Sequence, residues 1–171
     1  MTVQHFLMHN MTQYVIRKYK MAKTSIVVPE LLRKFILYGP DSRSKFVLEE
    51  KNAKYIALNE NNKNGFAFQI DDGLIANPDT KKCDKGLCIE DKDIYLIELK
   101  GVDFNTACKQ LLVTLDFFRK KLEKYSIKCR AVVKEMPSKN NYPYSYKKLL
   151  ASLPKSADYF KSSSVQLIEK I

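Results

Sequence analysis

The sequence predicts an α/β protein in which helices pack against a mixed β-sheet, and three observations support this. The run from 94 to 99 is apolar and rich in β-branched and aromatic residues, which is typical of a strand covered on both faces. A long stretch follows with apolar residues every three or four positions, which predicts an amphipathic helix. A second strand is then predicted over 127–134, so the strand–helix–strand order favours a parallel crossover within a mixed sheet.

The first part of the chain predicts one helix and several strands. Pro29 is expected to open a helix that runs to Leu37 and stops at Tyr38-Gly39-Pro40. Residues 1–20 show no clean periodicity and are interpreted as an N-terminal extension, or as a short helix that packs on the domain or in a dimer. Further strands or extended segments are predicted over 42–50, 54–59 and 66–70, with turns at 61–65 and 72–73.

A hairpin is predicted next, with one strand over Cys83–Ile89 and the other over Ile94–Lys100, joined by the polar turn at 90–93. Alternation places Ile94, Leu96, Glu98 and Lys100 on one face of the second strand. If the loop has about three residues, Asp84 lies opposite Glu98 or Lys100. Two carboxylates and an amine would then meet at one end of the hairpin.

The second half predicts a long helix with Asp103 as its N-cap. A strand over Ile127–Lys134 follows, and then a Pro-, Asn- and Tyr-rich loop over 135–146. A short helix is predicted over 147–153, a loop at Ser162–Ser164 and a closing strand over 165–168. The apolar face of the long helix comprises Phe104, Ala107, Leu111, Leu115, Phe118 and Leu122.

Length and composition favour one domain of 171 residues, with a core at about 29–134 and a C-terminal elaboration over 135–171. The net charge of +11 favours a polyanionic partner, nucleic acid before an anionic membrane. The alternative is a lysine-rich composition without functional meaning. The four scattered cysteines form no C-x-x-C pair and are interpreted as reduced, apolar thiols rather than zinc ligands. Neither a membrane span nor a signal peptide is evident, which favours a cytoplasmic protein.

The pattern of Asp84, then Glu98-Leu99-Lys100 on the next strand, then a helix carrying Gln110, resembles the PD-(D/E)xK nuclease superfamily. The resemblance covers about residues 66–134 and implies a restriction-endonuclease-like fold with an αβββαβ core. Cys83 stands where the family often has proline. The acid on the first helix of the family has no secure match here, and the candidates are Glu30, Glu49 and Glu50.

The chemistry of these residues suits phosphodiester hydrolysis assisted by a metal ion. Asp84 and Glu98 are the kind of oxygen ligands that Mg²⁺ prefers, with Mn²⁺ as a substitute. The resemblance adds the backbone carbonyl of Leu99 as a third ligand. Lys100 would orient the attacking water and stabilise charge on the phosphate, a role ranked above proton abstraction. The alternative is a simple ion pair of Lys100 with Asp84 or Glu98 at the end of the sheet.

Gln110 is expected to support the metal-bound water or a catalytic side chain, as in family members with a glutamine there. The alternative is a solvated helix glutamine. Lysines hold phosphates without reading sequence, and tyrosines can stack on bases. The candidates for nucleic-acid contact are Lys109, Lys134, Lys139, Tyr142, Tyr144, Lys147 and Lys148, and the alternative is a solvated loop with its tyrosines folded onto the domain.

These observations predict a magnesium-dependent endonuclease that acts on DNA in preference to RNA, in restriction, repair or recombination. A homodimer is suggested because cutting both strands needs two sites. One alternative is a catalytically inactive nucleic-acid-binding module on the same fold. The other is a protein–protein adaptor with incidental basic charge.

Overall fold

Two mixed β-sheets form the framework of the structure, a computed structural model that describes residues 26–75, 77, 79–99 and 103–171. The larger sheet has the strand order β1-β4-β5-β6-β7-β8, and the smaller sheet has the order β2-β3-β9. The strands in the described ranges are β1 (Ile36–Asp41), β2 (Lys45–Glu50), β3 (Ala53–Leu58), β4 (Gly65–Gln69), β5 (Lys85–Ile89), β6 (Asp93–Glu98), β7 (Ser126–Val133), β8 (Phe160–Ser164) and β9 (Gln166–Lys170).

Two α-helices cover the larger sheet on one side: α1 (Phe104–Lys121) and α2 (Tyr144–Ala151). Short 3₁₀ helices lie at Glu30–Phe35 and Lys139–Asn141, and an irregular helical turn spans Ile70–Leu74. None of the helices in the described ranges is long and apolar enough to cross a membrane.

The strand–helix–strand unit and the hairpin before it follow the prediction. Strands β6 and β7 are parallel and α1 connects them, while β4, β5 and β6 are antiparallel neighbours. The loop between β5 and β6 has three residues, because Ile89 pairs with Asp93. Asp103 caps α1 as predicted, since its carboxylate accepts the Thr106 amide at 2.9 Å. The predicted mixed α/β class is therefore confirmed.

The core consists of two layers, one on each face of the larger sheet. The layer under α1 contains Phe68, Leu96 and Phe118, together with all four buried cysteines. The layer between the two sheets contains Phe46 and Ile97. As predicted, β6 is covered on both faces, and its residues from Ile94 onward are all buried.

Three predicted elements differ from the observed ones. The first helix is a short 3₁₀ helix that ends at Phe35, and Tyr38-Gly39-Pro40 lies in β1, where an edge strand tolerates a proline. Ser162–Ser164, predicted as a loop, belongs to β8, which is held by parallel pairing with β7. The second helix begins at Tyr144 rather than Lys147, directly after Pro143.

A buried charge network joins the two sheets. Arg130 of β7 makes a paired hydrogen bond to the Glu169 carboxylate of β9, and Tyr55 of β3 donates to the same carboxylate at 2.7 Å. Lys161 of β8 reaches it at 2.8 Å. Burial opposes the ionised form of Glu169, but hydrogen bonds and charge from Arg130 outweigh this and lower the pKa of Glu169 below its usual value near 4.5.

A carboxyl group whose pKa is lower in the folded state contributes stability that is fully present above about pH 4.5 and is lost as the pH falls through the lowered pKa. We predict that Glu169→Gln reduces the free energy of unfolding at pH 7 by about 3–5 kcal/mol, since Arg130 is left buried without its counter-charge. Urea unfolding between pH 7 and pH 3 should show the difference from wild type shrinking in acid. Glu60→Gln, which removes an exposed partner of Lys170, is the control and should cost less than about 1 kcal/mol.

The glycine at position 86 of β5 is required by close packing. A Cβ atom there would fall on the ring of Phe68, its cross-strand neighbour. We predict that Gly86→Ala destabilises the protein by about 1–3 kcal/mol in thermal or urea unfolding, because the core is already filled. In the control Gly73→Ala the nearest atom to the new Cβ is Phe35 Cδ1 at 3.1 Å, and the loss should be smaller. Equal losses in the two variants would contradict this packing argument.

Candidate functional site

Two fully buried carboxyl groups meet at the end of the β5–β6 hairpin. Lys85 pairs with Ile97, so one further step in the antiparallel register sets Asp84 opposite Glu98. Both residues are fully buried, with 0 % of their surface exposed. Directly opposed residues share a face, with Cβ atoms about 4.5–5.5 Å apart. The structure thus brings the two predicted acids together, in the register that sets Asp84 opposite Glu98.

The acid pair lies on the helix-covered face of the sheet. Asp84 shares this face with Cys88, and Glu98 shares it with Leu96, by strand alternation. Both neighbours belong to the core layer that includes Leu111 of α1. The sequence folds this way because β5 and β6 are apolar on both faces and carry their acids only at the ends. The acids therefore lie at the end of the hairpin, on the side of the sheet that α1 covers.

Asp84 is held through its carboxylate by Leu99, directly after β6, and through its carbonyl by the turn Ile70–Leu74. The Leu99 amide donates to Asp84 Oδ2 at 2.7 Å, and the Ile70 and Asp71 amides donate to the Asp84 carbonyl at 3.1 and 3.2 Å. Leu99, whose carbonyl is the third ligand that the resemblance implies, is itself fully buried. These bonds fix the carboxylate of Asp84 against the backbone at Leu99.

Helix α1 holds the two residues that precede Asp84. Gln110 is 8 % exposed, and its amide nitrogen donates to the Lys82 carbonyl at 2.7 Å. The Thr114 hydroxyl accepts the Cys83 amide at 2.9 Å and donates to the Gln110 carbonyl at 2.8 Å. A solvated glutamine at position 110 is therefore wrong. Gln110 and Thr114 position the chain that carries Asp84, and Thr114, one turn after Gln110 on the same face, was missed by sequence reasoning.

The acid pair affects the pKa of the neighbouring Cys83 thiol. Burial, first of all, and then the negative charge of Glu98 raise the pKa of Cys83 well above its usual value. Asp84 adds to the same effect, while the hydrogen bond with Thr114 opposes it. Cys83 is therefore a neutral thiol at physiological pH, and both carboxyl groups lie near enough to it to interact.

A buried lysine was also missed by sequence reasoning. Lys82 is 4 % exposed; its ammonium donates to the Asn77 carbonyl at 2.9 Å and lies 3.4 Å from Asp71 Oδ1. Asp71 also donates its backbone amide to Asp84, so this ion pair flanks the candidate site. Lys82 stands between Lys81 and Cys83, outside any predicted helix or strand, and no pattern there would have signalled its burial.

The three acids considered for the first helix each form an ion pair with a lysine or arginine side chain. Asp71, which was not among these candidates, donates its backbone amide to the Asp84 carbonyl. The pairs are Glu30 with Arg33 at 2.6 Å, Glu49 with Lys54 at 2.9 Å, and Glu50 with Lys85 at 3.8 Å.

Lys100 lies outside the described residues, so its predicted role remains a prediction, as does any structure of residues 1–20. Of the described candidates for nucleic-acid contact, one is packed onto the domain and the others are exposed. Tyr142 packs against Phe104 and Tyr146, with ring centroids 5.9 and 4.5 Å away, and so is folded onto the domain. Tyr144 is 80 % exposed. The candidate lysines are all exposed: Lys109, Lys134, Lys139, Lys147 and Lys148.

Comparison with family models, with curated proteins and with solved structures finds no match to this chain. Within the described ranges, no group of three or more His, Cys, Asp or Glu side chains is arranged to hold a metal ion. The candidate site therefore rests on the pair of Asp84 and Glu98.

The contact of Thr114 with Cys83 can be tested through stability. We predict that Thr114→Val costs about 1–3 kcal/mol in urea unfolding, since the buried Cys83 amide loses its acceptor. Thr106→Val is a matched control in the same helix, because its hydroxyl bonds Asp103 at an exposed position. The control should lose clearly less free energy of unfolding than the Thr114 variant. Equal losses would mean that α1 does not hold the 82–84 segment in this way.

Proposed function

We propose that this protein is a metal-dependent nuclease that hydrolyses phosphodiester bonds in DNA. The observation that carries the proposal is the β5–β6 register, which sets the buried carboxyl groups of Asp84 and Glu98 on one face. Two neighbouring carboxylates repel each other when both are ionised, and a divalent cation between them removes this repulsion. Their oxygen atoms are the ligands that Mg²⁺ prefers, with Mn²⁺ as a substitute.

The topology supports the same proposal. Strands β4, β5 and β6 are antiparallel, and α1 then leads to β7, which is parallel to β6. This order is the βββαβ part of the core that the PD-(D/E)xK resemblance implies. In the proposed restriction-endonuclease-like fold, the 3₁₀ helix Glu30–Phe35 precedes this core, and β1, β2, β3, β8 and β9 are additions to it.

Each residue has a proposed role. Asp84, Glu98 and the Leu99 carbonyl would hold the ion, which when bound supplies charge neutralisation at the phosphate and a water that is nucleophilic near neutral pH. Lys100 follows Leu99 directly and would orient that water and stabilise charge on the phosphate oxygens. Gln110 acts one step away, by positioning the backbone before Asp84.

A second candidate is a nucleic-acid-binding module without catalysis. The net charge of +11 and the exposed lysines favour it, since they support binding to a polyanion whether or not a metal is held. The two candidates differ in whether the acid pair is needed for a measurable activity.

We predict metal-dependent nicking of supercoiled plasmid by the wild-type protein with Mg²⁺ or Mn²⁺. Asp84→Asn, Glu98→Gln and Lys100→Ala should each lower the rate at least about 100-fold, since each removes a ligand or a charge at the reacting phosphate. Titration calorimetry with Mn²⁺ should show binding that Asp84→Asn abolishes.

Asp116→Asn makes the same chemical change as Asp84→Asn at an exposed position of α1 and should cleave as wild type does. Salt-sensitive DNA binding without cleavage would support the second candidate instead. Cleavage that survives Asp84→Asn would contradict the proposed role of the acid pair.

A further inference from the structure

A groove of about 500 Å³ lies between the first turn of α1 and the segment 134–143. Much of its lining is apolar, and the polar groups in it include two side-chain amides. Ligand sites typically combine apolar walls with a few polar groups that fix orientation. The apolar lining residues are Phe104, Met136, Pro137 and Pro143, and the amides are Asn105 and Asn141.

The charged side chains of the groove favour a nucleobase over a phosphate group as the part of a nucleic acid that enters it. Among its described lining residues, Asp103 and Glu135 carry carboxylates and Lys134 carries an ammonium, a balance of charge that disfavours a phosphate. A nucleobase carries no such charge, and its flat faces suit apolar walls. The Asn105 Oδ1 atom accepts the Ser145 hydroxyl at 2.7 Å, which orients this amide and leaves its NH₂ group as a donor for a base edge.

The groove lies between the end of β7 and the beginning of α2. At one end, Lys134 directly follows β7, whose neighbour β6 ends at Glu98 beside Ala131. At the other end, Pro143 directly precedes Tyr144, the first residue of α2. A strand lying along this groove would therefore run from the edge of the sheet at which β6 and β7 end to the beginning of α2.

Helix α2 presents a face suited to the next nucleotide. Tyr144, Lys147 and Lys148 occupy positions i, i+3 and i+4 and share one side of the helix, and all three are exposed. The helix carries no acidic residue. Tyr142 and Tyr146 on either side are packed in the aromatic cluster around Phe104, which distinguishes Tyr144 at 80 % exposure.

We propose that the groove and the exposed face of α2 bind single-stranded nucleic acid. One unpaired base lies in the groove, the next stacks on Tyr144, and Lys147 and Lys148 hold phosphates. A duplex is excluded from this mode, because its bases are paired and stacked inside the helix. The inference depends on the proposed function for the identity of the polymer, and it specifies a substrate with a single-stranded segment, such as the unpaired stretches that negative supercoiling favours in a plasmid.

The experiment measures binding in EDTA, so that it does not depend on cleavage. A fluorescein-labelled DNA oligonucleotide of mixed sequence, and the duplex it forms with its complement, are titrated with the full chain by fluorescence anisotropy. We expect the single strand to bind more tightly than the duplex at equal salt. A duplex that binds as tightly or more tightly, or no binding of either DNA, overturns the inference.

Two sets of variants locate the contacts. Tyr144→Ala should weaken single-strand binding about 5- to 150-fold, whereas Tyr144→Phe keeps the ring and should bind as wild type. Leu150→Ala, which also removes exposed apolar surface from α2, should have no effect. Circular dichroism verifies that each variant is folded. Unchanged binding by Tyr144→Ala overturns the stacking.

The lysines are tested through the salt dependence of binding. Replacing both Lys147 and Lys148 with alanine should reduce the slope of log K against log salt by about 1.4, which corresponds to two phosphate contacts on a single strand. Replacing Lys120 and Lys121 removes the same charge at the far end of α1 and should leave the slope unchanged. Equal slopes for the two double variants overturn the inference. Single-strand binding without cleavage in Mg²⁺ would overturn the nuclease proposal alone.

Discussion

The register of the β5–β6 hairpin is the constraint on which the candidate site depends. The three-residue loop sets Ile89 against Asp93, and this pairing carries through to Asp84 and Glu98 at the other end. A slip of one residue would turn every side chain of one strand to the opposite face. Because both faces of the hairpin are buried, such a slip would also misplace apolar residues throughout two core layers. The core thereby enforces the pairing of the acids.

Much of the fold around this hairpin follows from local pattern. The alternation and apolar runs of β4 to β7, the capping by Asp103 and the periodicity of α1 are strong signals that tertiary contacts reinforce. The elements that sequence reasoning missed owe their form to their neighbours. Ser162–Ser164 has no marked strand propensity and becomes β8 by pairing with β7. The separate sheet formed by β2, β3 and β9 depends on a pairing between distant segments.

The candidate site likewise contains residues that the local sequence pattern reveals and residues that only tertiary contacts reveal. Asp84, Glu98 and Gln110 could be found because charged or amide groups stand at regular positions on elements with clear patterns. Thr114 and Lys82 could not, since their importance lies in contacts to the backbone and to a turn that only the packed structure brings near. The result is a site in which α1, the turn Ile70–Leu74 and the backbone amide of Leu99 all bond to one short segment, 82–84.

The parallel pairing of β3 with β9 has a consequence for how the chain folds during synthesis. The Tyr55–Glu169 contact joins residues 114 positions apart, so β3 leaves the ribosome long before its partner exists. Until then the β2–β3 hairpin has an open edge, and Arg130 has no carboxylate to neutralise it. Contacts of such long range slow folding and leave nascent chains prone to mispairing. The smaller sheet can therefore be completed only after β9 has been synthesised.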